Sequence, residues 1–241
     1  KVTYKDDVFS SVVFKEELDN IPSDRILYIY EDSRQRIWAG TSQGIAELQG
    51  DKFVMIEGGH DAFHCMEYES KMFFLSAKGR IYMKVEGNAC RLVNQVSSDL
   101  ENSRVYGSMR LQHEWYIFTN EGGFVFNMET YTLHRSESLD IKNGLVEKDN
   151  KGNSWIYNRT GNVWYVDAET GKIKKFNLLP SNIVTYLDEE RYHIVHDSRG
   201  IIWISTYGNG LFAYNWATDE LQHFMADVNG FSHIGSNYLQ Y

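Results

Sequence analysis

Five aromatic residues, Trp38, Phe73, Trp115, Trp155 and Trp203, recur at separations of 35, 42, 40 and 48 residues. Each is preceded by an alternating run and a polar turn, and followed by a glycine and a second alternating run. Short segments rich in aromatic and β-branched residues, bounded by Gly, Asn, Asp and Ser, carry the period of two expected of strands. Together these observations predict an all-β chain, and the repeat length is that of the four-stranded antiparallel blade of a β-propeller. About five blades are covered by residues 1–241. A helical solenoid is excluded, because its units require a period of 3.6 residues.

In the first unit the pattern places an inner strand over 25–30, a second strand over 36–40, a third over 44–48 and an outer strand over 52–56. The same order repeats around the other anchors, with further strand segments at 12–14, 115–118 and 161–166. Asp32, Asp149 and Asp197 each stand six residues before their tryptophan, in the turn that enters the second strand. Aspartate suits that place because its short side chain accepts backbone N–H bonds. The anchor aromatics are expected to pack between neighbouring sheets, and the glycines to permit tight turns at positive φ. A stacking repeat needs such residues in every unit, so their role is structural before it is functional.

Composition narrows the class. With 42% hydrophobic and 15% aromatic residues and only two prolines, the chain has the means to build a core, which excludes disorder. The net charge of −9 argues against a nucleic-acid partner, since phosphate binding needs a basic face. No run approaches the roughly 20 apolar residues that cross a bilayer, and residues 1–7 carry no cleavable hydrophobic signal. Cys65 and Cys90 are too few for a disulfide framework or a closed zinc site; they are either buried free thiols or one disulfide.

The segment Ile29-Tyr-Glu-Asp-Ser-Arg-Gln-Arg-Ile-Trp-Ala-Gly-Thr-Ser-Gln-Gly-Ile45 resembles the repeat of the two-component regulator propeller family. The stretch His196-Asp-Ser-Arg-Gly-Ile-Ile-Trp-Ile-Ser-Thr206 resembles it more closely, keeping the family's Asp, Gly, Trp and Thr. The likeness is strong around Trp38 and Trp203, moderate around Trp155, and weak at Phe73 and Trp115, where Glu67 and Met109 hold the aspartate position. The resemblance implies a sensor region from the periplasmic portion of an inner-membrane hybrid histidine kinase of the Bacteroides type. Such regions sense glycan breakdown products and switch on polysaccharide utilisation genes. It also implies a seven-bladed propeller, of which this chain is a part, with a closed ring of five blades as the alternative, and residues 229–241 look like the approach to another inner strand. The implied partners are an oligosaccharide, which the loops would allow to be acidic, the remaining blades of the same chain, and a second copy in a homodimer.

A propeller binds ligands chiefly where the loops between second and third strands meet those leading into the inner strands. The former supply Thr41, Ser42, Gln43, Lys78, Arg80, Asn120, Glu121, Arg159, Thr160, Tyr207 and Asn209; the latter supply His60, Asp61, Arg104, Lys142, Asn143 and Asn182. Amide, hydroxyl, cationic and aromatic groups in this mixture suit an oligosaccharide, and an arginine fork suits an acidic one. Tyr207 and Arg159 lead the candidates, followed by Asn209, Gln43, Lys78, Arg80, Asn120 and Asn182.

His193, His196 and Asp197 offer metal-ligand types, but on a regular strand the two histidines face opposite sides, and His60, His64 and Cys65 are equally loose. No metal and no cofactor are expected. Nucleophile-elbow, phosphate-loop, dinucleotide and zinc-protease motifs are absent, and no catalytic residue is assigned. The function expected is a non-catalytic sensor. A glycan-acting propeller enzyme, such as a polysaccharide lyase or glycosidase, and a protein-binding scaffold are the alternatives.

Overall fold

The computed structural model describes residues 2–5, 8–11, 21–94, 100, 102–149, 151–158, 162–177, 193–206, 208, 210–226 and 234–239. Among them are five four-stranded antiparallel sheets, each a meander of consecutive strands, and one two-stranded hairpin, Val2–Lys5 with Val8–Ser11. Sheet one comprises Ile26–Glu31, Ile37–Thr41, Gly44–Gln49 and Lys52–Met55, each bound within one residue of the sequence expectation. Sheet two comprises Ala62–Tyr68, Lys71–Ser76, Ile81–Lys84 and Cys90–Leu92. Sheet three comprises Val105–Leu111, Glu114–Thr119, Gly122–Asn127 and Leu133–Arg135. Sheet four comprises Leu145–Lys148, Ser154–Tyr157, Asn162–Val166 and Ile173–Asn177, and sheet five His193–His196, Ile201–Ser205, Leu211–Asn215 and Glu220–Phe224. The hairpin was not foreseen, and the strand expected at 12–14 lies outside the described residues.

The chain forms two compact units. One holds Lys1–Val105, Gln112–Trp115 and Val125–His134; the other holds Tyr106–Leu111, Tyr116–Phe124 and Arg135–Tyr241. In the first, Trp38 and Ile45 of sheet one pack with Ala62, Cys65, Met72 and Phe74 of sheet two. In the second, Trp155, Tyr157 and Val163 of sheet four pack with Ile194, Ile202, Ile204 and Phe212 of sheet five. Trp38, Phe73 and Trp115 are fully buried and Trp155 is 1% exposed, as expected of stacking anchors, whereas Trp203 is only half-buried.

The aspartates six residues upstream act on both the turn and the anchor. Asp32 Oδ1 accepts the Arg34 and Arg36 backbone N–H groups at 2.9 and 3.0 Å, while Oδ2 accepts Trp38 Nε1–H at 2.9 Å and Arg36 Nε–H at 2.7 Å. Asp149 takes the N–H groups of Lys151 and Asn153 and the indole of Trp155; Asp197 takes those of Arg199 and Ile201 and the indole of Trp203. One carboxylate therefore closes the turn and satisfies the single polar atom of a large ring about to be buried. Burial opposes ionisation of Asp32, yet the donors from Trp38, Arg36 and Arg34 outweigh it and hold its carboxyl below the usual range.

The two departures from this pattern differ in kind. Sheet two is anchored by Phe73, which has no N–H to satisfy, and its Glu67 reaches sheet one instead, accepting Ser33 N–H at 2.7 Å and Ser33 Oγ–H at 2.6 Å. Sheet three keeps a tryptophan but has Met109 in the aspartate position, and Trp115 Nε1 is buried without a hydrogen-bond partner. The residues that make sheet three diverge in sequence thus leave a buried donor unsatisfied.

Candidate functional site

A hydroxyl at the end of the second strand shapes the loops on which the site was expected. Thr41, Thr119 and Thr206 Oγ1–H donate to the carbonyls of Gly44, Gly122 and Gly210 at 2.8–3.0 Å. The oxygens of Thr41 and Thr119 also accept the N–H groups of Gln43 and Glu121, and Ser76 Oγ accepts those of Lys78 and Arg80. Thr41, named above among the loop candidates, is 1% exposed with its hydroxyl committed to the turn. At Gly44 the backbone adopts φ +130°, and a Cβ would sit 3.4 Å from the backbone of His60.

Gln43, Lys78 and Asn120 are carried on these hydroxyl-held turns, Gln43 and Lys78 exposed. In the first unit, the Gln43 turn lies against His60, and the next residue, Asp61, binds Arg80 Nη1–H at 3.2 Å and Tyr82 Oη–H at 2.7 Å. The structure therefore brings Gln43, His60, Asp61 and Arg80 to one end of that unit. The charge of Asp61 raises the Arg80 pKa, and burial followed by the Asp61 hydrogen bond pushes the Tyr82 phenol up to about 12.

In the second unit, Asn120 Nδ2–H donates to Glu121 Oε1 at 2.9 Å, and Arg135 donates to the Glu121 carbonyl at 2.9 Å and to Asp140 at 3.1 Å. Asp140 also accepts Gly123 N–H at 3.0 Å, so a carboxylate from the loop leading to sheet four is fixed on the turn of sheet three. Lys142 is exposed, as is Arg104 of the first unit. Asn143 donates its N–H to the Thr119 carbonyl at 2.8 Å, and its Oδ1 is buried without a partner. Arg135 and Asp140 were missed in sequence because they come from an outer strand and a connection; their only signal was opposite charge five residues apart. Arg159, Thr160, Asn182, Tyr207 and Asn209 lie outside the described residues.

Arg80 and Arg135 are thus each tied to a carboxylate. The arrangement offers hydrogen-bond donors and acceptors of either sign held on rigid turns, which suits hydroxyl-rich ligands. Among the described residues no three His, Cys, Asp or Glu side chains are placed to share a metal ion. His64 packs against Tyr28 and Trp115, with ring centroids 3.9 and 6.1 Å away, and His196 packs against Trp155 at 5.1 Å. The side chain of His193 is outside the described residues. Both cysteines are free thiols: burial raises the Cys65 pKa well above the usual range, and burial aided by Asp61 pushes Cys90 up to about 11.

The Asp32 turn, the Trp38 anchor and the Thr41 hydroxyl fall in one continuous stretch, and that stretch decides the comparison with known families. Residues 20–43 match the two component regulator propeller repeat. Among curated proteins none matches the sequence. Of solved structures, the extracellular domain described as that of the hybrid two component system BT4673 of B. thetaiotaomicron is similar to this chain with a TM-score of 0.58 at 16% identity, over 84% of this chain and 30% of that one. The corresponding domain of BT3049 from the same organism gives 0.56 at 20% identity, over 83% and 28%. The β-propeller domain of Cps50 (Swd1) of Myceliophteria thermophila gives 0.53 at 10% identity, over 83% and 73%. At these identities the likeness is one of fold, that of the β-propeller. The chain spans under a third of the two extracellular domains.

Proposed function

We propose that this chain is part of an extracytoplasmic sensor propeller belonging to a hybrid two-component signalling protein, placed on the periplasmic side of an inner membrane. The observation that carries the reading is the family match over 20–43, which coincides with the Asp32–Trp38–Thr41 turn. The fold shared with two extracellular domains of such systems supports it. No helix among the described residues is long and apolar enough to cross a membrane, so in this reading anchoring and the kinase lie elsewhere in a longer protein.

The ligand in this proposal is an oligosaccharide released from a complex glycan. Asp61 engages Arg80 and Asp140 engages Arg135, which favours neutral, hydroxyl-rich rings at those two places, while the exposed Lys78 and Lys142, with Arg159, are the cations to which an acidic sugar would turn. Signalling requires the ligand to bind one arrangement of a homodimer better than the other, since equal affinity for both shifts nothing. A tenfold preference corresponds to about 1.4 kcal/mol.

Calorimetric titration of the protein with defined neutral and acidic oligosaccharides, with product analysis on the same samples, tests this. Saturable heat with unchanged sugar is expected. New reducing ends or unsaturated products would make the protein a glycan-acting enzyme, and a stable protein partner with no sugar binding would make it a scaffold; either overturns the sensor reading.

A further inference from the structure

Sheets one and two share a frame at their loop end but carry opposite charges on it. In sheet one the inner strand opens against the turn hydroxyl, Ile26 pairing with Thr41, and in sheet two Ala62 pairs with Ser76 in the same way. The residues just before, Arg25 and Asp61, therefore hold equivalent places at one end of the first unit. In sheet two that place is neutralised within the sheet: Asp61 pairs with Arg80, the residue before the third strand, at 3.2 Å, and accepts Tyr82 Oη–H at 2.7 Å. In sheet one the residue before the third strand is Gln43, an uncharged amide. Arg25 therefore lacks the counter-charge that its counterpart has.

The backbone that carries Arg25 is nonetheless fixed on both sides. Its N–H donates to Ser23 Oγ at 3.1 Å, the hydroxyls of Ser23 and Ser42 share a hydrogen bond of 3.0 Å, and its carbonyl accepts the Ser42 N–H at 3.1 Å. The side chain leaves this frame beside the Gln43 turn and is exposed, with its guanidinium bonded to no described residue. Other arginines are closed by the chain's own carboxylates: Arg36 by Asp32 and Glu47, Arg80 by Asp61, Arg135 by Asp140 and Arg199 by Asp197. Arg34 and Arg91, also exposed, stand on the Asp32 turn and on an outer strand, away from these loops. Lys78 and Lys142 present compact ammonium groups, whereas a guanidinium presents a planar fork of N–H donors that matches two oxygens of a carboxylate or a sulfate.

We propose that Arg25 binds an anionic group of the oligosaccharide, a carboxylate or a sulfate ester, so that the ligand of the first unit is acidic, with the Gln43 amide on the adjoining turn serving ring hydroxyls. It rests on the oligosaccharide reading above, and adds to it the charge of the ligand and the residue that recognises that charge.

Titrations with three tetrasaccharides test it: one of hexuronic acids, one of the corresponding neutral hexose, and one of that hexose bearing sulfate esters. Wild type, Arg25→Gln and Arg25→Lys are compared. A charged tetrasaccharide should bind wild type more tightly than the neutral one, and added salt should weaken it. Uronate preference identifies the group as a carboxylate, and preference for the esters identifies it as a sulfate. R25Q should lower the affinity for the preferred sugar by about tenfold to a hundredfold, as expected of charge-assisted hydrogen bonds, and R25K by less, since it keeps the charge without the fork. Affinity for the neutral sugar and the melting temperature should stay unchanged in both variants, because the side chain is exposed. Equal affinity for all three sugars, or a charged preference that survives R25Q, would overturn the proposal and leave the oligosaccharide reading standing. Binding of none of the three by wild type would overturn both.

Discussion

Replacing Asp32 by alanine removes four acceptor contacts at once and strands a ring that is fully buried. Trp38 Nε1–H has no other partner within this turn, and an unsatisfied buried donor costs about 1–3 kcal/mol. The Arg34 and Arg36 N–H groups lie nearer solvent, so water recovers part of their bonds and each contributes about 0.5–1 kcal/mol. Arg36, stacked 5.1 Å from the Trp38 ring centroid, also loses the carboxylate that orients it. The loss is therefore about 2–5 kcal/mol, or a fall in Tm of roughly 10 °C for a chain of this size. Thermal and urea melts of D32A, W38F and the double variant measure it, and the cycle should return a coupling of about 1–2 kcal/mol between the two side chains. D197A is the internal control: Trp203 is half-buried, so its indole can turn to water and the loss should be smaller. A D32A loss below about 1 kcal/mol, or one no larger than that of D197A, would refute the argument from buried-donor satisfaction.

Trp115→Phe should cost less than Trp38→Phe in the same melts, because it deletes a donor that has no partner where Trp38 loses a satisfied one. Glu67→Ala breaks both Ser33 bonds from a buried carboxylate and should destabilise by about 2–3 kcal/mol, with Ser33→Ala adding little on top of it. Burial lowers the His196 pKa, with Asp149 and Asp197 opposing and Lys151 assisting. The unfolded chain then binds that proton more readily, so the contribution is present above the unfolded value of ~6.5 and is lost as pH falls toward the folded one. His196→Phe should flatten the pH dependence of Tm below that value, and an unchanged slope would assign it to other groups. Asp32 acts in the acid range by the same sign: its folded pKa is depressed, so its stabilisation is held above ~3.9 and disappears as pH drops further, and D32A should melt with a weaker acid dependence.

The fold was legible because its determinants are local and periodic. Strand alternation, the anchor spacing and an aspartate six residues upstream are all written in one stretch of chain, and sheet one follows them to within a residue. Contacts made between sheets were not legible. Glu67 looked like a degenerate aspartate until its partner, 34 residues away, was found on the neighbouring sheet. The aromatics Tyr131 and Trp216 lie in turns between third and outer strands, yet pack on Phe73 and on Trp155 and Tyr165 of the preceding sheets; no pattern within their own repeat announces that. The candidate site was half legible. Residue type identified Arg80 and Asn120 as loop polar groups, but not that Arg80 is held by Asp61, because an ion pair between two loops leaves no trace in either loop alone.

The hydroxyl-held turn separates two tasks that loops usually combine. Thr41, Ser76, Thr119 and Thr206 fix the path of the chain, together with the glycines that follow them, so the exposed side chains of Gln43 and Lys78 carry no duty in folding. Their side chains behave as exchangeable fittings in a standard socket. A protein made this way can have two residues per turn rewritten without disturbing the sheets that carry them.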